Sequence, residues 1–194
     1  MPLPPPQPRT RFHTRTLVTH GWRRDDGLWD IEAELIDAKD YDVQLYDQPK
    51  LVAGDPVHSL AVRLTVDDAM VVREVVTSMD ATPFGECLQA IEPMRRVVGA
   101  GLGPGWRGAV DRAVGGTAGC THLREILYSM GTAAYQTIPS GQARLRGQTG
   151  MPEPQGNEPP RHVGGCITWD VDGPVVARQY PQFAGWAPLR RRQR

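Results

Sequence analysis

The stretch "LWDIEAELID", Leu28 to Asp37, decides the architecture. Trp29, Ile31, Ala33 and Leu35 alternate with Asp30, Glu32 and Glu34. A strict period of two places the first set on one face of a β-strand and the second on the other. The three carboxylates read as a solvated sheet face, because nothing around them separates their pKa values into an acid and a base.

Working outward, "TLVTHGW" (Thr16–Trp22) reads as a preceding strand, with "RRDDG" as the turn between the two. "KDYDVQLYDQPKLVAGDP" is a polar connection to the next strand, "VHSLAVRLTVD" (Val57–Asp67). There His58, Leu60, Val62, Leu64 and Val66 share one side. "MVVREVVTSMD" (Met70–Asp80) folds back on that strand as a hairpin.

After "ATPFGEC" the period changes. Leu88, Ile91, Met94, Val97 and Val98 predict a helix ending at Gly99, with Pro93 in its first turn. Trp106, Ala109, Val110 and Ala113 predict a short helix closed by Gly115-Gly116. From Thr121, a good N-cap residue, Leu123, Ile126, Leu127, Met130 and Ala134 recur at helical spacing to about Thr137. Strands first and helices second make the fold class α+β, an antiparallel β-sheet covered by helices.

The flanks carry less order. Residues 1–11 are proline-rich and expected to be disordered, and residues 12–138 form the core domain. Residues 139–165, rich in Pro and Gly, read as a flexible loop. Residues 166–183 read as a C-terminal β-hairpin docked on the core, turned at Asp172-Gly173. Residues 184–194 are a basic tail.

Composition narrows the partners. In 194 residues, 22 basic groups balance 22 acidic ones, so bulk charge gives no reason to expect a nucleic acid or an anionic membrane. Lys39 and Lys50 are the only lysines. No run approaches the ~18 apolar residues of a membrane helix, and "MPLPPPQPR" lacks a signal peptide's apolar segment. Cys87, Cys120 and Cys166 are an odd, sparse set, expected as free thiols or metal ligands in a reducing, cytoplasmic compartment.

The chemistry-bearing stretch is "GGTAGCTHL", Gly115 to Leu123. A cysteine at a helix N-terminus has its thiolate stabilised by the unpaired N–H groups there. A positive imidazolium is disfavoured in the first turn, and a neutral imidazole is the form a metal binds. One such pair is not a site, since zinc takes about four ligands. Cys87 and Cys166, each at the start of an element, together with Asp55 or His58, are the candidates to complete it.

The segments "HTR", "RRDDGLWDIEAELIDAKDY", "GDPVHSLAVRLTVDD", "GPGWRGAV", "GGTAGCTHLREIL" and "DGPVVARQYP" together resemble the bacterial family catalogued as domain of unknown function 2889. The resemblance runs from about His13 to Pro181. It implies cysteines matching Cys87, Cys120 and Cys166 but no activity. More distantly, the order of "AGDPVHSLAVRLTVDDAMVVREV", a helix-opening Cys and a Cys/His pair is similar to iron–sulfur scaffold proteins of the NifU type. That likeness implies Asp55, Cys87 and Cys120 as site residues. The chain departs from it at Ala53, where the scaffold has cysteine, and at Thr121, which separates Cys120 from His122.

The leading expectation is a metal-binding protein, zinc or iron, held by Cys87, Cys120 and Cys166 with His122 or Asp55. A second is a metal-free enzyme for a small aromatic or acidic metabolite. Trp22, Trp29, Trp106, Arg23, Arg24 and Arg63 would line its pocket, with Cys120, His122 or His58 as nucleophile or base. A third is a non-catalytic binding or adaptor module engaging a protein through the loop and tail.

Overall fold

A computed structural model describes residues 3–45, 49–149, 154 and 156–186. The chain divides into two compact units, residues 1–138 and 139–194. The first is built on a four-stranded antiparallel sheet in the order β1 (His13–Arg23), β2 (Trp29–Lys39), β3 (Pro56–Val66), β4 (Val72–Ala81). The alternation in β2 is realised as read: Trp29, Ile31, Ala33 and Leu35 are buried. Glu34 is exposed, Glu32 faces Arg63 at 3.6 Å, and Asp30 accepts a hydrogen bond from Thr65 (2.7 Å).

Helices cover the inner face. Gly85–Ala90 and Glu92–Val97 form two successive 3-10 helices where one α-helix was expected. Pro93 lies in the first turn of the second, while Met94 and Val97 point into the core. α1 (Trp106–Val114) and α2 (Thr121–Leu145) follow. Leu123, Ile126, Leu127, Met130, Ala134 and Ile138 of α2 join the sheet's inner face in one apolar core. Burial of each such side chain contributes roughly 1.5–3 kcal/mol.

At Gly21 of β1, opposite Ile31 of β2, Thr137 of α2 lies close against this edge strand. A Cβ there would stand 2.1 Å from Oγ1 and 2.7 Å from Cβ of Thr137. Gly21→Ala should therefore push helix and strand apart and cost about 1–3 kcal/mol. A drop in the melting temperature of the full chain is the expected reading, and an unchanged one would show that α2 does not seat on β1 here.

Two expectations beyond the core are corrected. α2 does not stop at Thr137 but carries Pro139 inside it and runs to Leu145, so the loop loses its first seven residues to the helix. The C-terminal β-hairpin is not formed. Ile167–Trp169 and Pro181–Phe183 are 3-10 helices, and α3 (Pro174–Gln179) lies between them. The physical reason is the proline after Asp172-Gly173. Pro174 has no N–H for a strand ladder, but its fixed φ suits the first turn of a helix. Val176, Tyr180 and Phe183 then fall at helical spacing and form a separate small cluster in the second unit. Residues 3–12 carry no helix or strand, and the basic tail from Ala187 onward lies outside the described residues.

Candidate metal centre

Asp37 is the fifth residue of the inward row that begins at Trp29, so the alternation that buries four apolar side chains also buries a carboxylate. The sheet register sets its neighbours. Arg15 of β1 and His58 of β3 stand directly across from it on either side. A register shift follows at once: Ala38 pairs with Pro56, leaving Val57 as the extra residue of a bulge beside the site. His122 enters from the second position of α2, above the same end of the sheet.

Asp37 is ringed by nitrogen. Arg15 donates from Nε to Oδ1 and from Nη2 to Oδ2, each at 2.8 Å. His13 Nε2 lies 2.8 Å from Oδ1. His58 Nδ1 and His122 Nε2 approach Oδ2 at 3.2 and 3.8 Å. Arg15 reaches on to Glu125 of α2, Nη1 to Oε2, at 2.5 Å. The carboxylate is 5% exposed. Burial by itself would raise its pKa, but the hydrogen bonds from Arg15 and then His13 outweigh that and hold it down to about 2. Asp37 is therefore an anion at neutral pH.

His58 is shifted the other way for its type. Burial, then the neighbouring imidazole of His122, lower its pKa against the opposing pull of Asp37. The two rings lie 4.0 Å apart between centroids, tilted by 40°. His58 Nδ1 is buried without a hydrogen bond, since its approach to Asp37 falls outside hydrogen-bonding geometry. A buried ring nitrogen 3.2 Å from a carboxylate oxygen without a well-aligned hydrogen bond is an arrangement that a shared proton or a cation completes.

Asp37, His58 and His122 each offer an atom within 4.8 Å of the others, and no other His/Cys/Asp/Glu group of three or more does so among the described residues. Of the residues expected from sequence, His58 and His122 are brought together. Cys120 stands beside them as the residue before α2, its carbonyl accepting from Arg124 N. Its Sγ is 3.8 Å from His122 Nδ1, the ring nitrogen turned away from Asp37. Cys87 is half-buried against the apolar core, and Asp55 accepts the amide of Val52 in its own turn; neither belongs to the cluster. Cys166 is exposed in the second unit.

Sequence reading missed Asp37, Arg15, His13 and Glu125. For Asp37 the signal was present: carrying the alternation one step past Leu35 puts a carboxylate on the buried face. The aromatic and arginine set does not make one pocket. Trp22 and Trp29 lie on opposite faces of the sheet, Trp22 exposed and Trp29 buried with its Nε1 donating to Asp68 (2.8 Å). Arg63 is engaged with Glu32, and Arg24 with Asp26.

A family model described as "Protein of unknown function (DUF2889)" matches residues 13–136, from the first residue of β1 to the middle of α2. The chain belongs to the DUF2889 family. The matched span contains every residue of the cluster, from His13 to Glu125. No curated protein and no solved structure matches the chain. The likeness to NifU-type scaffolds is not supported, and the ligand cluster that does form contains no cysteine. No helix among the described residues is long and apolar enough to cross a membrane.

Proposed function

We propose that this DUF2889 chain is a metal-binding protein whose centre takes zinc or iron(II) through Asp37, His58 and His122. The supporting observation is the geometry of the three ligand atoms. Ligands bonded at about 2.0–2.1 Å to one tetrahedral ion stand roughly 3.3–3.4 Å from each other. The separations of Asp37 Oδ2 from His58 Nδ1 and His122 Nε2, 3.2 and 3.8 Å, bracket that edge. Two imidazoles and one carboxylate suit zinc or iron(II) and leave coordination positions free for water or substrate.

The surrounding groups serve such a centre. Arg15 and His13 orient the carboxylate, while Cys120 beside Nδ1 of His122 leaves Nε2 for the ion, as outer partners of ligating histidines do. When bound, the metal would supply Lewis acidity or an activated water. The three free cysteines fit a reducing compartment such as the cytoplasm.

Titrating the chelator-treated chain with zinc tests the ligand set. His58→Ala and His122→Ala should each weaken binding by at least about 10-fold. Together they should exceed the roughly 10–100-fold that follows loss of a group that only orients a ligand. Cys87→Ser and Cys166→Ser should leave binding unchanged. Loss of binding in the serine variants would return the ligands to the thiols. A second reading, a thiol nucleophile with His122 as its base, draws on the Cys120–His122 contact. Selective alkylation of Cys120 over Cys87 and Cys166 in metal-free protein would favour it.

A further inference from the structure

A groove of about 300 Å³ lies in the first unit, away from the Asp37 cluster. The segment Leu102–Arg107 forms one wall, and one stripe of α2, Tyr128, Gly131, Thr132 and Tyr135, forms the other. Its floor depends on Gly131, where a Cβ would lie 2.6 Å from Cδ1 of Trp106. Without that Cβ, the indole comes in against the helix and donates from Nε1 to the Leu127 carbonyl at 2.7 Å. Tyr128 donates its hydroxyl to Asp111, and Thr132 donates to the Ser129 carbonyl (2.8 Å). The walls thus satisfy their own polar groups.

One group is left over. The Arg107 guanidinium lies 4.7 Å from the centre of the Tyr128 ring and makes no ion pair within 4.0 Å among the described residues; Asp111, one turn further along α1, is taken by the Tyr128 hydroxyl. Three aromatic side chains in one concavity, with the exposed Arg107 guanidinium stacked at its side, match a planar apolar body bearing one negative charge. The volume is at the low end for ligand pockets, roughly 300–1,000 Å³, which limits that body to one or two rings. We propose that this groove binds a small aromatic carboxylate, its rings between Trp106, Tyr128 and Tyr135 and its carboxylate on Arg107. The site is independent of the metal proposal and shares no residue with it.

Calorimetric titration of the full chain with 2-naphthoate, and with uncharged 2-naphthalenemethanol as control, tests this. Binding of 2-naphthoate below about 1 mM and at least about tenfold tighter than the alcohol is expected. Arg107→Gln should erase that difference while leaving the alcohol's affinity as it was. Thr132→Trp, a surface position that fills the groove, should block both probes without lowering the melting temperature. Three results overturn the proposal: no 2-naphthoate binding to the wild type, equal affinity of wild type and Arg107→Gln for 2-naphthoate, or unimpaired binding by a folded Thr132→Trp variant.

Discussion

Arg15→Met is expected to destabilise the chain by about 2–4 kcal/mol, measured by urea unfolding at neutral pH. The variant keeps the alkyl packing of the side chain but removes both guanidinium hydrogen bonds to Asp37 and the link to Glu125. Asp37 is then a buried anion with His13 as its remaining close hydrogen-bond partner. Breaking one side of a buried pair costs about 3–5 kcal/mol; the lower figure here reflects the partial exposure of Arg15. The double variant Arg15→Met, Asp37→Leu extends the apolar row of β2 by one position. It should recover most of the loss, because no unpaired charge remains. If the single variant were as stable as the parent, the cluster would not be electrostatically coupled as described.

Acid should lower the stability of the chelator-treated chain in two stages. His58 has a folded pKa below its ordinary value of 6.5, so the unfolded chain takes up its proton first. Its stabilisation is present above pH 6.5 and is lost as pH falls below that value. Asp37 is held at about 2 against an ordinary 3.8, so its contribution is present above about pH 4 and is lost as pH falls from 3.8 toward 2. The share of Asp37 in that second stage is about 2 kcal/mol, because each tenfold change in proton affinity is worth roughly 1.4 kcal/mol. Asp67 and the exposed Asp26, Asp40 and Asp42, also held below the ordinary carboxylate value by their hydrogen bonds, titrate in the same direction. His162 in the second unit, lowered by burial, titrates in the same direction as His58. His58→Asn separates them: it should flatten the upper stage and leave the Asp37 stage in place. A stability curve that is flat from pH 7 to 3 would contradict both assignments.

The sheet was legible in the sequence because its signal is local. Alternation in Trp29–Leu35 and in His58–Val66 needs no knowledge of the rest of the chain, and neither does the helical spacing from Leu123 to Ala134. The C-terminal segment was misread because Asp172-Gly173 carries a turn signal that serves equally as a helix start once Pro174 follows. The proposed centre was half legible. His58 and His122 stood out as imidazoles at element ends. Asp37 looked like one more acidic residue, and Cys87 and Cys166 drew attention through their chemistry. What joins Arg15, Asp37 and His58 in one row is the register of three neighbouring antiparallel strands, with a bulge at Val57 beside it. Residues 15, 37 and 58 are too far apart in sequence for any periodicity to relate them.

A crystal grown with zinc and measured across the zinc absorption edge addresses the metal centre most directly. One anomalous peak is predicted about 2.0–2.2 Å from Asp37 Oδ2 and from an imidazole nitrogen of each of His58 and His122. A peak held by cysteine sulfur with no zinc at the three-residue cluster, or no peak at all, would contradict the account.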